Sequence, residues 1–267
     1  MKLSIITINY NNAEGLRKTM DSVLSQTYKD YEYIIVDGAS TDGSVEVIRT
    51  SALQAEGLKL KWISEPDTGI YNAMNKGIKM ANGEYLLFLN SGDYLVDCSV
   101  LENVFANDCV ADILCARCNV SDNGKVVWTS NPPENVTFGT LYLVGLAHQS
   151  TFIRKCLFER FGYYDESYRY NADIEFWYRS IIKNKATTQK IDIITTDYNL
   201  DGISSTENKT DVYKSEINRI LAPYHSFCQD YDEMKMEREK YASIAWVLNR
   251  PILIKLLDFY RKILKHI

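Results

Sequence analysis

The chain has 267 residues, 46% of them apolar, and a formal charge of −5. That is enough apolar matter for a substantial core in one large domain, with or without an accessory segment. A net-negative chain with no basic, aromatic-interleaved patch in its first two hundred residues excludes nucleic-acid binding as a working reading. The six cysteines lack the spacing of a disulfide framework, so reduced thiols and a cytoplasmic protein are expected.

Read in order, the first hundred residues alternate strand and helix. Leu3–Ile8 is a strand and no signal peptide, because its apolar run is shorter than the roughly 7–15 residues such a segment needs. Glu14–Gln26 is an amphipathic helix, with Leu16, Met20, Val23 and Leu24 on one side. Strands are expected at Tyr31–Val36, Leu60–Ser64 and Tyr85–Leu89, and helices at Gly43–Ala55 and Ile70–Ala81. This rhythm with short connections predicts an α/β fold, a mostly parallel sheet with helices on both faces.

After Asp93 the pattern becomes mixed. A helix is expected at Val100–Asn107, and strands at Ile113–Val120 and Lys125–Thr129 flank the hairpin signal Asp122-Asn-Gly. A strand follows over Gly145–Ile153, then helices at Arg154–Phe161 and Asp173–Asn184 and a strand region at Ala186–Asp197. Cys115 and Cys118 form a C-x-x-C inside a strand, where residues three apart face opposite ways, which argues against a redox or zinc pair. From Asp211 onward the pattern is helical. The expected domains are 1–205, halved at 98/99 into nucleotide and acceptor parts, and a C-terminal helical segment, 206–267.

Four loops follow the first four strands: Asn9–Asn12, Asp37–Asp42, Glu65–Gly69 and Asn90–Asp93. Any one of them is explained by turn formation and helix capping. Four polar loops at the carboxyl edge of one parallel sheet, where such folds bind ligands, point to a site. No glycine-rich phosphate loop is present. A nucleotide diphosphate facing carboxylates therefore needs Mn²⁺ or Mg²⁺ between them, held by few protein ligands, of which Asp93 is the natural one.

Four motifs carry a family resemblance. They are Ser4-Ile-Ile-Thr-Ile-Asn-Tyr-Asn11, Val36-Asp-Gly-Ala-Ser-Thr-Asp-Gly43, Ser64-Glu-Pro-Asp-Thr-Gly-Ile-Tyr-Asn-Ala-Met-Asn-Lys-Gly77 and Leu87-Phe-Leu-Asn-Ser-Gly-Asp93. In this order they resemble family 2 inverting glycosyltransferases of the GT-A fold, over roughly residues 1–205. The resemblance implies that Asn9, Tyr10 and Asp37 hold the nucleoside and that Asp67 and Gly69 contact base and ribose. It also places Asn90 and Ser91 at the nucleotide, where the family's metal-binding D-x-D would fall, and leaves Asp93 as the carboxylate of that turn. An Ala-Arg-Asn frequent in the family is Ala73-Met74-Asn75 here, with Lys76 as a stand-in for the arginine.

Asp173 and Glu175 sit two apart at the start of a helix, so only one can aim into a cleft. On spacing alone Asp173 is equally well a cap or a base. The resemblance assigns it the deprotonation of the acceptor hydroxyl and places Glu175, His148 and Gln149 at the sugar and acceptor pocket. A single displacement with Asp173 as base inverts the anomeric centre, whereas retention would need a further carboxylate nucleophile.

The expected activity is transfer of a sugar from a nucleotide sugar, UDP preferred by resemblance, to a saccharide or lipid-linked acceptor in surface polysaccharide synthesis. A nucleotidyltransferase and a non-catalytic sugar-nucleotide-binding subunit are the rival readings. Asp201–Thr206 reads as a donor lid or a plain surface loop. The tail Asn249–Ile267 reads as a basic amphipathic helix, suited equally to peripheral contact with the inner face of the cytoplasmic membrane or to docking on the domain or on a second copy.

Overall fold

The computed structural model describes residues 1–54, 57–106, 109–122, 124–199 and 210–248. The expected lid at 201–206 and the amphipathic tail at 249–267 lie outside the described residues. Two compact units are resolved by contact density, Met1–Ile220 and Leu221–Ile267. The second holds helix α9 (His225–Leu248). The sheet described next belongs to the first.

Strands β1 (Leu3–Asn9), β2 (Tyr31–Asp37), β3 (Lys59–Ser64) and β4 (Tyr85–Phe88) alternate with helices α1 (Ala13–Leu24), α2 (Ser44–Gln54) and α3 (Ile70–Met80). They pair in parallel in the order β3-β2-β1-β4. Both faces are covered, so every residue of β1, β2 and β4 is buried. Successive residues serve opposite layers. Ile5, Tyr33, Ile35 and Leu87 join Leu16, Met20 and Val23 of α1 and Val47 and Ile48 of α2 in one cluster. On the other face, Phe88 meets Phe158, which stacks on Phe176 at 4.4 Å. Gly77 of α3 lies so close to Ile6 that a Cβ there would collide with it.

Beyond β4 the sheet continues with β8 (Thr151–Arg154), β6 (Ile113–Asp122) and β9 (Thr188–Asn199), and β7 (Lys125–Thr129) forms a hairpin with β6. Here antiparallel pairs β4–β8 and β6–β8 mix with the parallel pair β6–β9. One sheet thus runs through both halves of the expected domain. The remaining elements are β5 (Tyr94–Leu95), α4 (Val100–Phe105), α5 (Phe138–Leu143), α6 (Lys155–Phe161), α7 (Ala172–Trp177) and α8 (Thr210–Leu221).

Two boundaries differ from expectation. The stretch from Gly145 is not a strand throughout: His148–Ser150 form a 3-10 turn, and β8 begins only at Thr151. The helix bearing Asp173 starts at Ala172 and loosens into a π-helical turn over Tyr178–Lys183. Among the described residues no helix is long and apolar enough to cross a membrane. The cysteines are all free thiols. Burial pushes Cys115 up to about 12, so it is an inert core thiol.

Candidate active site

The loops after β1, β2 and β4 meet as expected, and hydrogen bonds knit them together. Asp37, fully buried at the end of β2, accepts from Asn9 Nδ2 at 2.8 Å, Ser40 Oγ at 2.6 Å, Ser40 N at 3.0 Å and Ser64 Oγ at 2.6 Å. Burial alone would raise its pKa, but those donors outweigh it and hold the carboxyl below the usual range. Asn9 Oδ1 is buried and has no partner among the described residues, which suits it to a ligand's donor. Asn11 and Ala39, two of the three non-glycine residues at positive φ among the described residues (48° and 60°), lie in these two adjoining loops, in a conformation costly for residues with a Cβ. Asn11 N–H donates to Ser40 Oγ, and Thr41 N–H donates to Asn11 Oδ1.

Gly38 sits between Tyr10 and Asp67. A Cβ built on it would lie 2.7 Å from Asp67 Oδ2 and 3.2 Å from the Tyr10 ring, so glycine keeps that cradle open. Tyr10 is 63% exposed, a ring free to stack. Asp67 Oδ1 accepts from Gly69 N–H at 3.0 Å, where φ of 142° calls for glycine. Asn9, Tyr10, Asp37, Asp67 and Gly69 therefore border the same side of the sheet edge. Lys76 is held by Glu65 at 2.9 Å and by the Pro66 carbonyl at 2.8 Å, so its charge is spent on this loop.

The turn after β4 is fastened to α1. Thr19 Oγ1 donates to the Asp93 carbonyl at 2.6 Å and accepts from Gly92 N–H at 2.9 Å, and Asn12 Nδ2 donates to the Ser91 carbonyl at 3.0 Å. Asp93 Oδ2 accepts from Asn90 N–H at 3.1 Å, its one carboxylate bond among the described residues. Only 5% exposed, Asp93 is pushed up to about 7, chiefly by burial. The charge on His148 and the Asn90 N–H oppose the rise, and the nearby Asp197 adds to it. Asn90 Oδ1 is buried without a partner among the described residues.

Side chains from the second half of the chain reach this turn. Asp173 Oδ2 lies 3.0 Å from His148 Nδ1, while Oδ1 accepts from Tyr71 Oη at 3.0 Å and Ile174 N–H at 2.9 Å. His148 Nε2 is 3.4 Å from Asn90 Nδ2, a loose contact that nonetheless bridges the two halves. Burial would raise the Asp173 pKa, but His148, Tyr71 and the Ile174 N–H together lower it. Its His148 partner is shifted up, because Asp173 and the charge of Asp93 outweigh burial. The result is an ionised carboxylate with a 14% exposed side chain at the edge of the cleft.

Two members of the expected set stand apart. Glu175 is gripped by Arg179, whose Nε and Nη2 reach both carboxylate oxygens at 2.8–3.1 Å. Arg179 also donates to the carbonyls of Phe161, Gly162 and Tyr163, so the pair clamps the segment ahead of α7. Gln149 is buried in the 3-10 turn beside His148. Sequence reasoning missed Tyr71. Inside an amphipathic helix a tyrosine reads as core, and only the fold brings its hydroxyl to Asp173, 102 residues away. Beside Tyr71, a cavity of about 500 Å³ opens between Thr68–Asn72 and Glu166–Tyr170.

Comparison with known proteins decides the family. The sequence matches glycosyl transferase family 2 over residues 4–158. The chain belongs to that family. A PGL/p-HBAD biosynthesis glycosyltransferase of Mycobacterium tuberculosis is 32% identical over 213 residues, covering 76% of this chain and 79% of the relative. S. aureus TarS 1–349 in complex with UDP-GlcNAc aligns with a TM-score of 0.67 at 22% identity, covering 83% of this chain and 66% of that one. Of a longer TarS chain this protein spans 39%. The mannosyltransferase PcManGT from Pyrobaculum calidifontis, in complex with GDP-Man and Mn²⁺, aligns at 0.56 with 18% identity, covering 73% and 56%. At such identities the likeness to solved structures shows the fold, GT-A. With the family shown, a nucleotidyltransferase reading has nothing left to rest on.

Proposed function

We propose that this family 2 chain is an inverting glycosyltransferase that moves a sugar from a UDP-sugar to a hydroxyl of a saccharide or lipid-linked acceptor in surface polysaccharide synthesis, at the cytoplasmic side of the membrane. The observation that carries this reading is the ionised Asp173, which reaches the Asn90–Asp93 turn through His148. UDP is favoured because the TarS relative is described with UDP-GlcNAc.

In this mechanism Asn9, Asp37, Asp67 and Gly69 seat the nucleoside, with the Tyr10 ring free to stack on the base. Asp173 accepts the acceptor hydroxyl's proton as that oxygen attacks the anomeric carbon, and one displacement inverts the centre. Tyr71 and His148 keep the carboxylate ionised and aimed. Sharing the Arg179 clamp, Glu175 holds the strand of chain that precedes α7.

The PcManGT relative is described with Mn²⁺, and the turn fits a divalent ion. No group of three His, Cys, Asp or Glu side chains able to hold a metal occurs among the described residues, so diphosphate oxygens and water must complete the shell. Asp93 would hold the ion, with Asn90 Oδ1 as the neutral donor left without a partner. When bound, a divalent cation neutralises charge on the departing diphosphate.

Incubation with UDP-sugars and candidate acceptors, read by nucleotide chromatography and by NMR of the product anomer, tests the proposal. UDP release with an inverted linkage is expected. Pyrophosphate release or a retained configuration would overturn the reading, and tight UDP binding without turnover would point to a binding subunit.

A further inference from the structure

Glu216 is an acidic residue on α8, only 8% exposed, and among the described residues the partners of its carboxylate lie in one short stretch. Oε1 accepts from Arg169 N–H at 2.6 Å, and Oε2 accepts from Tyr170 N–H at 3.1 Å and Asn171 Nδ2 at 2.9 Å. These three residues lead directly into α7, which carries Asp173 two positions later. Asn171 stands at the N-cap of α7 and makes no side-chain cap bond, because its amide is turned to Glu216. One helix therefore fixes the start of another.

The hold continues to the base. Tyr170 donates its N–H to Glu216 and its carbonyl accepts from Tyr71 Oη at 2.7 Å, and the same hydroxyl lies 3.0 Å from Asp173 Oδ1. Arg219, one turn further along α8, packs 3.5 Å over the Tyr168 ring and donates to Ser167 Oγ at 2.9 Å. α8 thus grips residues 167–171 at two points, with the charge-assisted bonds of Glu216 nearest the base. None of the bonds that build the Asp37 pocket passes through this stretch.

We infer that Glu216 is a positioning residue for Asp173: it fixes the 169–171 backbone so that Tyr71 and Asp173 meet the acceptor in register. The inference rests on the reading of Asp173 as base. A buried carboxylate that only held the fold would affect stability and leave turnover of the folded protein unchanged. A register element changes kcat while donor binding stays constant, since a displacement of about 1 Å at a reacting group costs up to about 100-fold.

The test compares Glu216→Ala, Glu216→Gln and Asp173→Asn with the wild type. Readouts are kcat and KM for the UDP-sugar that the wild type turns over, UDP affinity by calorimetry with Mn²⁺, and the folded fraction by circular dichroism. Glu216→Ala is expected to lower kcat about 10-fold to 100-fold with donor KM and UDP affinity within about 2-fold. Glu216→Gln keeps one acceptor oxygen and should fall between Ala and wild type. Wild-type kcat in Glu216→Ala, or a parallel loss of UDP binding, would overturn the inference. Should Glu216→Ala fail to fold, Glu216→Gln decides by the same split. Normal transfer by Asp173→Asn would instead mean that the base itself is elsewhere, and the inference would go with it.

Discussion

Asp37 and Asp93 are both buried carboxylates on one edge of one sheet, and their surroundings set them apart. Asp37 accepts four hydrogen bonds and is held in its ionised form. Asp93 accepts one and is pushed up to about 7. The first carboxylate has its hydrogen bonds completed by the protein, as suits the fixed wall of the nucleoside pocket proposed above. The second is left short of donors, with the unpartnered Asn90 Oδ1 beside it, as expected of a group completed by a cation and a diphosphate. Asp173 resembles Asp37 in being satisfied and ionised, but its donors His148 and Tyr71 come from distant parts of the chain.

The largest expected effect comes from Asp173→Asn. Its shape survives and its basic oxygen is lost, so transfer should fall at least ~100-fold with near-normal UDP binding in calorimetry. A normal rate would mean that the base lies elsewhere. Next, Asp93→Ala should abolish the metal-dependent part of UDP affinity. Equal UDP affinity in EDTA and in Mn²⁺ for the wild type would break the contrast between the two carboxylates.

The contrast also has a stability signature. Because the folded Asp93 pKa is raised from 3.8 to about 7, its contribution is favourable at low pH and is lost as pH rises through that interval. Asp93→Asn should therefore raise the melting temperature of the metal-free protein at pH 7, with a gap that widens from about pH 4 to about pH 7 and is flat above. Asp37 has the opposite sign, its stabilising share being present above the ordinary carboxylate pKa and lost as pH falls through the lowered value. Asp37→Asn turns an acceptor into a donor facing Ser40 and Ser64 and should destabilise by about 1–3 kcal/mol. A thermal-melt series over pH with both variants reads both signs together. Glu175→Gln should be mildest, a few-fold loss of kcat through a loosened Arg179 clamp, measured at saturating donor. A loss as large as that of Asp173→Asn would put Glu175 back into the acceptor pocket.

The first four strands and three helices were legible because their signals are local: short apolar runs, an amphipathic period and turn residues between them. The Asp37, Asp67 and Asn90 loops followed from that order alone. The short elements were not legible. β5 has two residues, and α5 starts with a capping box formed by Thr137 and Thr140 in place of the usual acidic partner. The sequence pattern puts His148 inside a strand, but residues 148–150 form a 3-10 turn that sets its ring against Asp173. Nothing local marks such a pairing across 25 residues. Glu216 is hidden more deeply, since a glutamate on a polar helix reads as solvated until the fold brings the 169–171 backbone to it.

The central proposal is that Asp93, pushed up to about 7 by burial and short of partners among the described residues, gives up its residual proton when a cation and a nucleoside diphosphate arrive. It is tested most directly by calorimetry of UDP binding with Mn²⁺ near pH 7 in buffers of different ionisation enthalpy. The wild type should release a larger fraction of a proton than Asp93→Asn, while a variant of the nucleoside pocket such as Asp37→Asn should release as much as the wild type. Equal proton release from the wild type and Asp93→Asn, with equal affinity, would contradict the account.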